Sequence, residues 1–428
     1  MTNVQLFQHQ IEHAKQFGTK PLNMSTTGSG KTYTALQAFK ESGCSKLLII
    51  CLPSKVADWS EDASHLGVKV NPLLGGPEKR SKTLNSSKGV SISFNSVWRD
   101  EANMMKWVDK STFVIYDEAH KIKSRTSKVS KFAIRLCKKV KYNYLLSATF
   151  ITNGALEEYY VPLYVANIWR KPWKEFKQMF VIESLVTMGS MKFNQITGYK
   201  NEHLLTQMVR EASVSFIREK DYTPQFNVIK VKKPTYYNKL KKERMYPQDN
   251  GEFRELDTSG TLFNALRSVS SGVLPGVDKV ISKEYWERVS DLIESHDEPV
   301  IIFYNYNAQL YRLRKLVSSL KRPLSEYNGN LKDTDAFMKK DNAVILCQIN
   351  SASTGINFLS KSTVSIFLGM PLSSTTYIQA LGRTDRANTQ GTPIYYILVA
   401  DTPVEKKIYE TVIAGKDFTN KLIEEITK

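Results

Sequence analysis

The sequence is short of cysteine, of long apolar runs and of acid. Four cysteines occur in 428 residues, Cys44, Cys51, Cys137 and Cys347, and no two share C-x-x-C spacing. That argues against a disulfide scaffold and a cysteine-built zinc site. Cys51 and Cys347 end strand-like runs and Cys137 falls on the apolar side of a helical pattern, so buried thiols in a reducing compartment are expected. The longest apolar runs, such as Leu47 to Leu52, are too short to cross a bilayer. The N-terminus, Met1 to Gln5, lacks a charged segment followed by an apolar one, so no export signal is expected. No short-period repeat or low-complexity tract is visible. Acid is the telling shortage: 42 Asp and Glu stand against 60 Lys and Arg, a net charge of +18. Solvated lysines account for part of this. An excess so large still favours a polyanionic partner, nucleic acid ahead of a membrane surface. No basic amphipathic end or lipidation signal supports the membrane alternative.

What is present is enough for two folded domains. Strand-like runs at Lys46–Leu52, Val90–Phe94, Phe113–Tyr116 and Tyr142–Leu146 alternate with helical patterns. One such pattern places Val4, Phe7, Ile11, Ala14 and Phe17 on a single face, another Val129, Phe132, Ala133 and Leu136. The rhythm returns with strands at Val300–Tyr304, Val344–Cys347, Val364–Leu368 and Ile394–Val399, and helices at Ala308–Leu320 and Pro403–Ala414. Strands alternating with helices predict an α/β chain of two tandem doubly wound parallel-sheet domains, 1–225 and 226–428. The stretch 165–280 reads as connector and elaboration. Lys230 to Arg244 interleaves basic residues with Tyr236 and Tyr237, the pattern either of base stacking or of a strand and connector, the latter preferred. Val186 to Tyr199 reads as a two-stranded hairpin, either a strand-separating wedge or packed elaboration.

Two runs carry the chemistry. In Ser25-Thr26-Thr27-Gly28-Ser29-Gly30-Lys31-Thr32, the glycines let backbone amides wrap phosphates, Lys31 would neutralise the β- and γ-phosphates, and Thr32 would bind Mg2+. Thr27, Gly28, Ser29 and Gly30 form the cradle, with Ser25 at the usual leading glycine. A Gly-Ser turn before a helix would also fit this run alone. Val114-Ile115-Tyr116-Asp117-Glu118-Ala119-His120 follows with acids at a strand end. Asp117 is placed to hold Mg2+ through water and Glu118 to polarise attacking water as general base. His120 is expected to couple the nucleotide to domain movement, or to be a satisfied core histidine. In the distant run Gln379 to Arg386, Arg383 and Arg386 share a face if helical, and Gln379 sits one turn earlier. Such arginines are either solvated or fingers that stabilise a transferring phosphoryl group, with Gln379 placing the water or γ-phosphate.

The order of these runs, with Ser147-Ala148-Thr149 between them, resembles the superfamily 2 helicases. Leu48 to Pro53 followed by Trp59-Ser60-Glu61, Asp117 to Ser124, Leu145 to Asn153 and Ser353-Thr354-Gly355-Ile356-Asn357 resemble motifs of the Swi/Snf-type branch. The resemblance spans nearly the whole chain. It implies RecA-like domains with an ATP cleft between them, Gln10 as an adenine-reading glutamine, Gly355 at the nucleotide, and Ser147 and Thr149 as coupling residues. Asp385 departs from the histidine usual in the last motif. No large insertion for chromatin binding fits. A minimal motor like those of phages and mobile elements is implied, in a bacterial or phage-infected cytoplasm.

Family members grip the nucleic-acid backbone, which needs cations and hydroxyl or amide donors. Lys121, Lys123, Arg125 and Lys128 are candidates, with Ser353, Thr354 and Asn357 in the second half, although each lysine also reads as a solvated charge. The expected function is an ATP-dependent DNA translocase or helicase, a DNA-stimulated ATPase remodelling forks, branched junctions or bound proteins. ATP and Mg2+ are the expected cofactors. The DNA would be double-stranded or branched, and a separate nuclease or recombination or replication proteins would be further partners. A monomer suffices. The alternatives are a DEAH-type helicase unwinding RNA or DNA, the motor subunit of a restriction system, and a DNA-binding scaffold with a degenerate ATP site.

Overall fold

The computed structural model describes residues 5–26, 28–151, 154–188, 191–217, 222–248, 250–275, 279–352, 358–385, 389 and 391–427. The chain divides into two compact units, 1–219 and 220–428. Its strands are β1 Leu22–Asn23, β2 Lys46–Cys51, β3 Asn71–Pro72, β4 Gly89–Ser93, β5 Thr112–Asp117, β6 Tyr142–Leu146, β7 Val181–Met188, β8 Met191–Tyr199 and β9 Ser213–Val214, then β10 Gln225–Val231, β11 Met245–Pro247, β12 Phe253–Glu255, β13 Val300–Tyr304, β14 Leu324–Tyr327, β15 Lys332–Asp333, β16 Val344–Gln348, β17 Val364–Phe367 and β18 Ile394–Ala400.

The first unit is built on a parallel sheet ordered β3-β4-β2-β5-β6-β1-β9. Its central strands are apolar almost without a break, as strands covered on both faces must be. Their side chains alternate between two cores. Leu48, Ile50, Val114, Tyr116 and Leu145 enter one, and Leu47, Ile49, Phe113, Ile115 and Tyr144 the other. After β1 the chain crosses to β2, three places away, and β5 and β6 later fill the gap. Such a rearrangement brings several strand ends together at the carboxyl edge, where open α/β sheets bind ligands.

The second unit repeats the plan with the order β10-β18-β17-β13-β16-β14-β15, parallel except for the β14–β15 pair. Its strands alternate in the same way, with Ile301 and Phe303 facing one core and Val300, Ile302 and Tyr304 the other.

The expected strands fall within one or two residues of those observed. The stretch 165–280 is more ordered than its reading as connector implies. It holds helices Trp173–Phe180, Glu202–Glu211, Tyr236–Glu243 and Ser259–Ser270. β7 and β8 form an antiparallel hairpin that begins five residues before the expected Val186. Its turn, 189–190, lies outside the described residues. In the basic-aromatic run, β10 ends at Val231 and a helix starts at Tyr236. Tyr237 is buried in the core, which corrects the base-stacking alternative for that ring. No helix among the described residues is long and apolar enough to cross a membrane.

Candidate nucleotide site

The carboxyl edge of the first sheet gathers the candidate residues. Asn23 lies in register with Leu146, and Leu146 with Asp117, on three neighbouring strands. At about 5 Å per strand, β1 and β5 are about 10 Å apart. The phosphate loop leaves β1, the Ser147-Ala148-Thr149 turn leaves β6, and the acids end β5.

The loop's shape comes from its glycines. Gly28 and Gly30 have φ of 80° and 79°, a region costly for other residues. At Gly30 space matters as well, because an added Cβ would come within 2.0 Å of Gln10 Nε2. Lys31 opens the helix Lys31–Glu41, so backbone amides of its first turn face the loop. Lys31 Nζ donates to Ser25 O at 2.7 Å and Thr26 O at 3.0 Å. These are neutral carbonyls, and a phosphate oxygen would make the stronger charge-assisted partner. Thr32 is half-buried in the first turn. Thr27 lies outside the described residues.

Gln10 is buried against this loop. Its Oε1 accepts from Phe7 N–H at 2.9 Å and its Nε2 donates to Ser29 O at 3.3 Å. His9 Nε2 is 3.0 Å from the same carbonyl. The glutamine assigned to adenine by resemblance therefore braces the phosphate loop in this structure. His9 was not singled out by the sequence, because its role depends on stacking with Phe216, 3.7 Å away and 3° from parallel.

At the β5 end, Trp59 Nε1 donates to Asp117 Oδ2 at 2.9 Å. Burial first, and then the Glu118 charge, push the Asp117 carboxyl above its ordinary range. Trp59 belongs to a run that resemblance marked, but no role attached to it until this bond appeared. Glu118 adopts φ of 61°, a strained conformation of the kind functional sites hold. His120 Nδ1 stands 3.3 Å from both Glu118 Oε2 and Ser147 Oγ. Ser147 Oγ already donates to Thr149 O. It can therefore only accept from His120, which places the imidazole proton on Nδ1. The acid, the histidine and the β6 turn form one connected relay.

A magnesium–nucleotide complex fits these groups. A half-buried carboxylate, poorly neutralised, stands on the same sheet edge as an amide cradle at a helix N-terminus. No group of three or more His, Cys, Asp or Glu is gathered for a metal among the described residues. Mg2+ ordinarily needs only one or two carboxylates when phosphates supply the rest. The thiol of Cys51, beside Asp117, is pushed well up by burial.

The proposed backbone-binding cations differ in their surroundings. Lys121 is exposed, whereas Lys123 pairs with Glu158 at 3.0 Å. Arg125 lies over the Trp173 ring and Lys128 over Trp98. In the second unit, Gln379 and Arg383 lie on the helix Ser374–Thr384. Arg383 is only 8% exposed, so it is not a solvated surface arginine. The helix closes at Thr384, and Arg386 lies outside the described residues, as do Ser353, Thr354, Gly355 and Asn357.

Comparison with known proteins identifies the family of the chain. The SNF2-related domain family matches residues 1–270, and the helicase conserved C-terminal domain matches 284–388. A putative ATP-dependent RNA helicase of Acanthamoeba polyphaga mimivirus is 22% identical over 96% of this chain and 82% of its own length. The solved SWI2/SNF2 ATPase core of Sulfolobus solfataricus, in complex with dsDNA, aligns with a TM-score of 0.45 and 18% identity, over 99% of this chain and 93% of that one.

Proposed function

Because the chain belongs to the SNF2-related family of superfamily 2 helicases, and is thereby an ATP-hydrolysing enzyme, we propose that it is an ATP-driven translocase on double-stranded DNA. The observation that carries this reading is the relay from Glu118 through His120 to Ser147, beside the phosphate loop. It joins the acid that would handle water to a turn on the neighbouring strand. Turnover can thereby be felt beyond the nucleotide.

The residues take the following roles. Lys31 leaves its loop carbonyls for the β- and γ-phosphates, and the amides of Gly28, Ser29 and Gly30 cradle them, with Gln10 and Thr27 beside the cradle. Mg2+, held by Thr32 and Asp117, would neutralise phosphate charge. Glu118 orients and polarises the attacking water. Arg383, with Arg386, stabilises the charge developing on the phosphoryl group, and Gln379 helps place the water. Residues 1–219 would thus bind ATP and residues 220–428, with Gly355, would complete catalysis.

DNA as partner is supported by the net charge of +18. Lys121 is the exposed cation next to the acidic strand end. Lys123, Arg125, Ser353, Thr354 and Asn357 would extend the grip along the backbone. A second reading, strand unwinding on DNA or RNA, is favoured by the β7–β8 hairpin, where Leu185 is 64% exposed. An apolar prong of that kind suits a wedge.

The test measures ATP turnover with linear duplex, single strand, fork, four-way junction and RNA. The translocase reading expects linear or branched duplex to stimulate most. Stimulation by RNA or single strands alone would sink it in favour of unwinding.

A further inference from the structure

Two residues depart from the patterns this sequence resembles, Ser25 in the phosphate loop and Asp385 in the last motif. Each has a hydrogen-bond partner, and the two partners flank the same short stretch of chain. Ser25 Oγ accepts from Phe216 N–H at 3.1 Å. Thr26 N–H and its hydroxyl both donate to Phe216 O, at 3.0 and 3.3 Å. The Phe216 ring stacks on His9, which reaches Ser29 O. A glycine at 25 would leave the Phe216 amide without that acceptor.

In the second unit, Tyr222 OH donates to Asp385 Oδ1 at 2.7 Å. Asp385 is the C-cap of the helix that carries Arg383, and its own N–H donates to Leu381 O at 3.0 Å. The same helix end is held by Thr384 Oγ1, 2.9 Å from Tyr395 OH, and the Tyr395 ring stacks on Phe226 at 5.0 Å.

We propose that Tyr222 and Asp385 are a positioning pair for ATP hydrolysis, which sets the end of the Arg383 helix. The proposal rests on the reading of the chain as an ATP-driven motor. A phenol donating to a carboxylate makes a short, charge-assisted bond. Asp385 is two residues from Arg383, whose side chain is buried, so its placement follows the helix end. Misplacing a catalytic group by about 1 Å costs on the order of 100-fold in rate. Neither Tyr222 nor Asp385 touches the nucleotide in this scheme, and both act through Arg383. The histidine of the family pattern could accept the same phenol proton at a ring nitrogen.

The test compares wild type, Tyr222→Phe, Asp385→Ala, Asp385→His and the double variant Tyr222→Phe/Asp385→Ala in duplex-stimulated ATP turnover and thermal melting. Tyr222→Phe is expected to lower kcat about tenfold while KM for ATP and the melting temperature stay unchanged, the loss of one hydrogen bond to a charged group. Asp385→Ala should lose as much, and the double variant no more than either. Asp385→His should stay within about threefold of wild type, since its ring nitrogen restores the acceptor. Wild-type turnover in Tyr222→Phe, or multiplying losses in the Tyr222–Asp385 cycle, would overturn the positioning pair. A wild type that duplex does not stimulate would instead remove the motor reading itself.

Discussion

The nucleotide edge of the first unit and the arginine helix of the second are built by opposite means. At the edge, the proposed function rests on backbone shape. Gly28, Gly30 and Glu118 all occupy positive φ, and carbonyls of the loop accept from Lys31 and Gln10. On the helix, the proposed function rests on one side chain on regular backbone, capped by Ser373 at one end and by Asp385 at the other. The difference teaches how each should fail. A change at the edge disturbs conformation and binding together. A change on the helix removes a charge and leaves the fold intact.

The largest effect that would sharpen this contrast is at Arg383. Arg383→Ala should reduce turnover by about 10³-fold or more, the range of arginine fingers, while ATP binding persists. Equilibrium nucleotide binding alongside steady-state turnover checks it, and near-normal turnover would deny the arginine its role. Glu118→Gln should cost on the order of 10²–10⁴ in kcat, again with binding retained. Gly30→Ala should instead weaken ATP binding and lower stability by roughly 1–3 kcal/mol, because a strained φ is added to the collision with Gln10. Calorimetric titration with nucleotide and thermal melting would show whether both change together. If Gly30→Ala bound ATP normally, the claim that backbone shape carries the site would break.

The smallest effect concerns Asp117. A carboxyl whose pKa is raised on folding gives stability that is full below its unfolded value and lost as pH rises through the folded value. At neutral pH its charge is therefore a cost to the unliganded fold. Asp117→Asn, which can still accept from Trp59, should raise Tm at neutral pH. It should also flatten the decline of stability above the ordinary carboxylate range. A lower Tm in melting curves across pH would contradict the burial argument.

The sequence made the sheet strands legible because they are apolar on both faces, as in Leu47 to Cys51, and because their ends carry the motif residues Asp117 and Ser147. It hid the helix Ser259–Ser270 for a related reason. Leu262, Phe263 and the unbroken run from Ala265 to Ser270 are all buried, so no amphipathic period marks it. It also hid the partners that tune the site. Trp59 reaches Asp117 across 58 residues and Tyr222 reaches Asp385 across 163. Only folding makes such pairs neighbours, and Tyr222 belongs to no local pattern. The role of Ser25 was hidden likewise, since its acceptor function needs Phe216 from the end of the unit.

Displacement of a third strand from a blunt-ended duplex tests the central claim most directly, because it requires ATP turnover and duplex tracking together. Wild-type protein should release the triplex strand only with ATP and Mg2+, and Arg383→Ala and Glu118→Gln should not. ATP hydrolysis without any displacement, or displacement by either variant at the wild-type rate, would contradict the account.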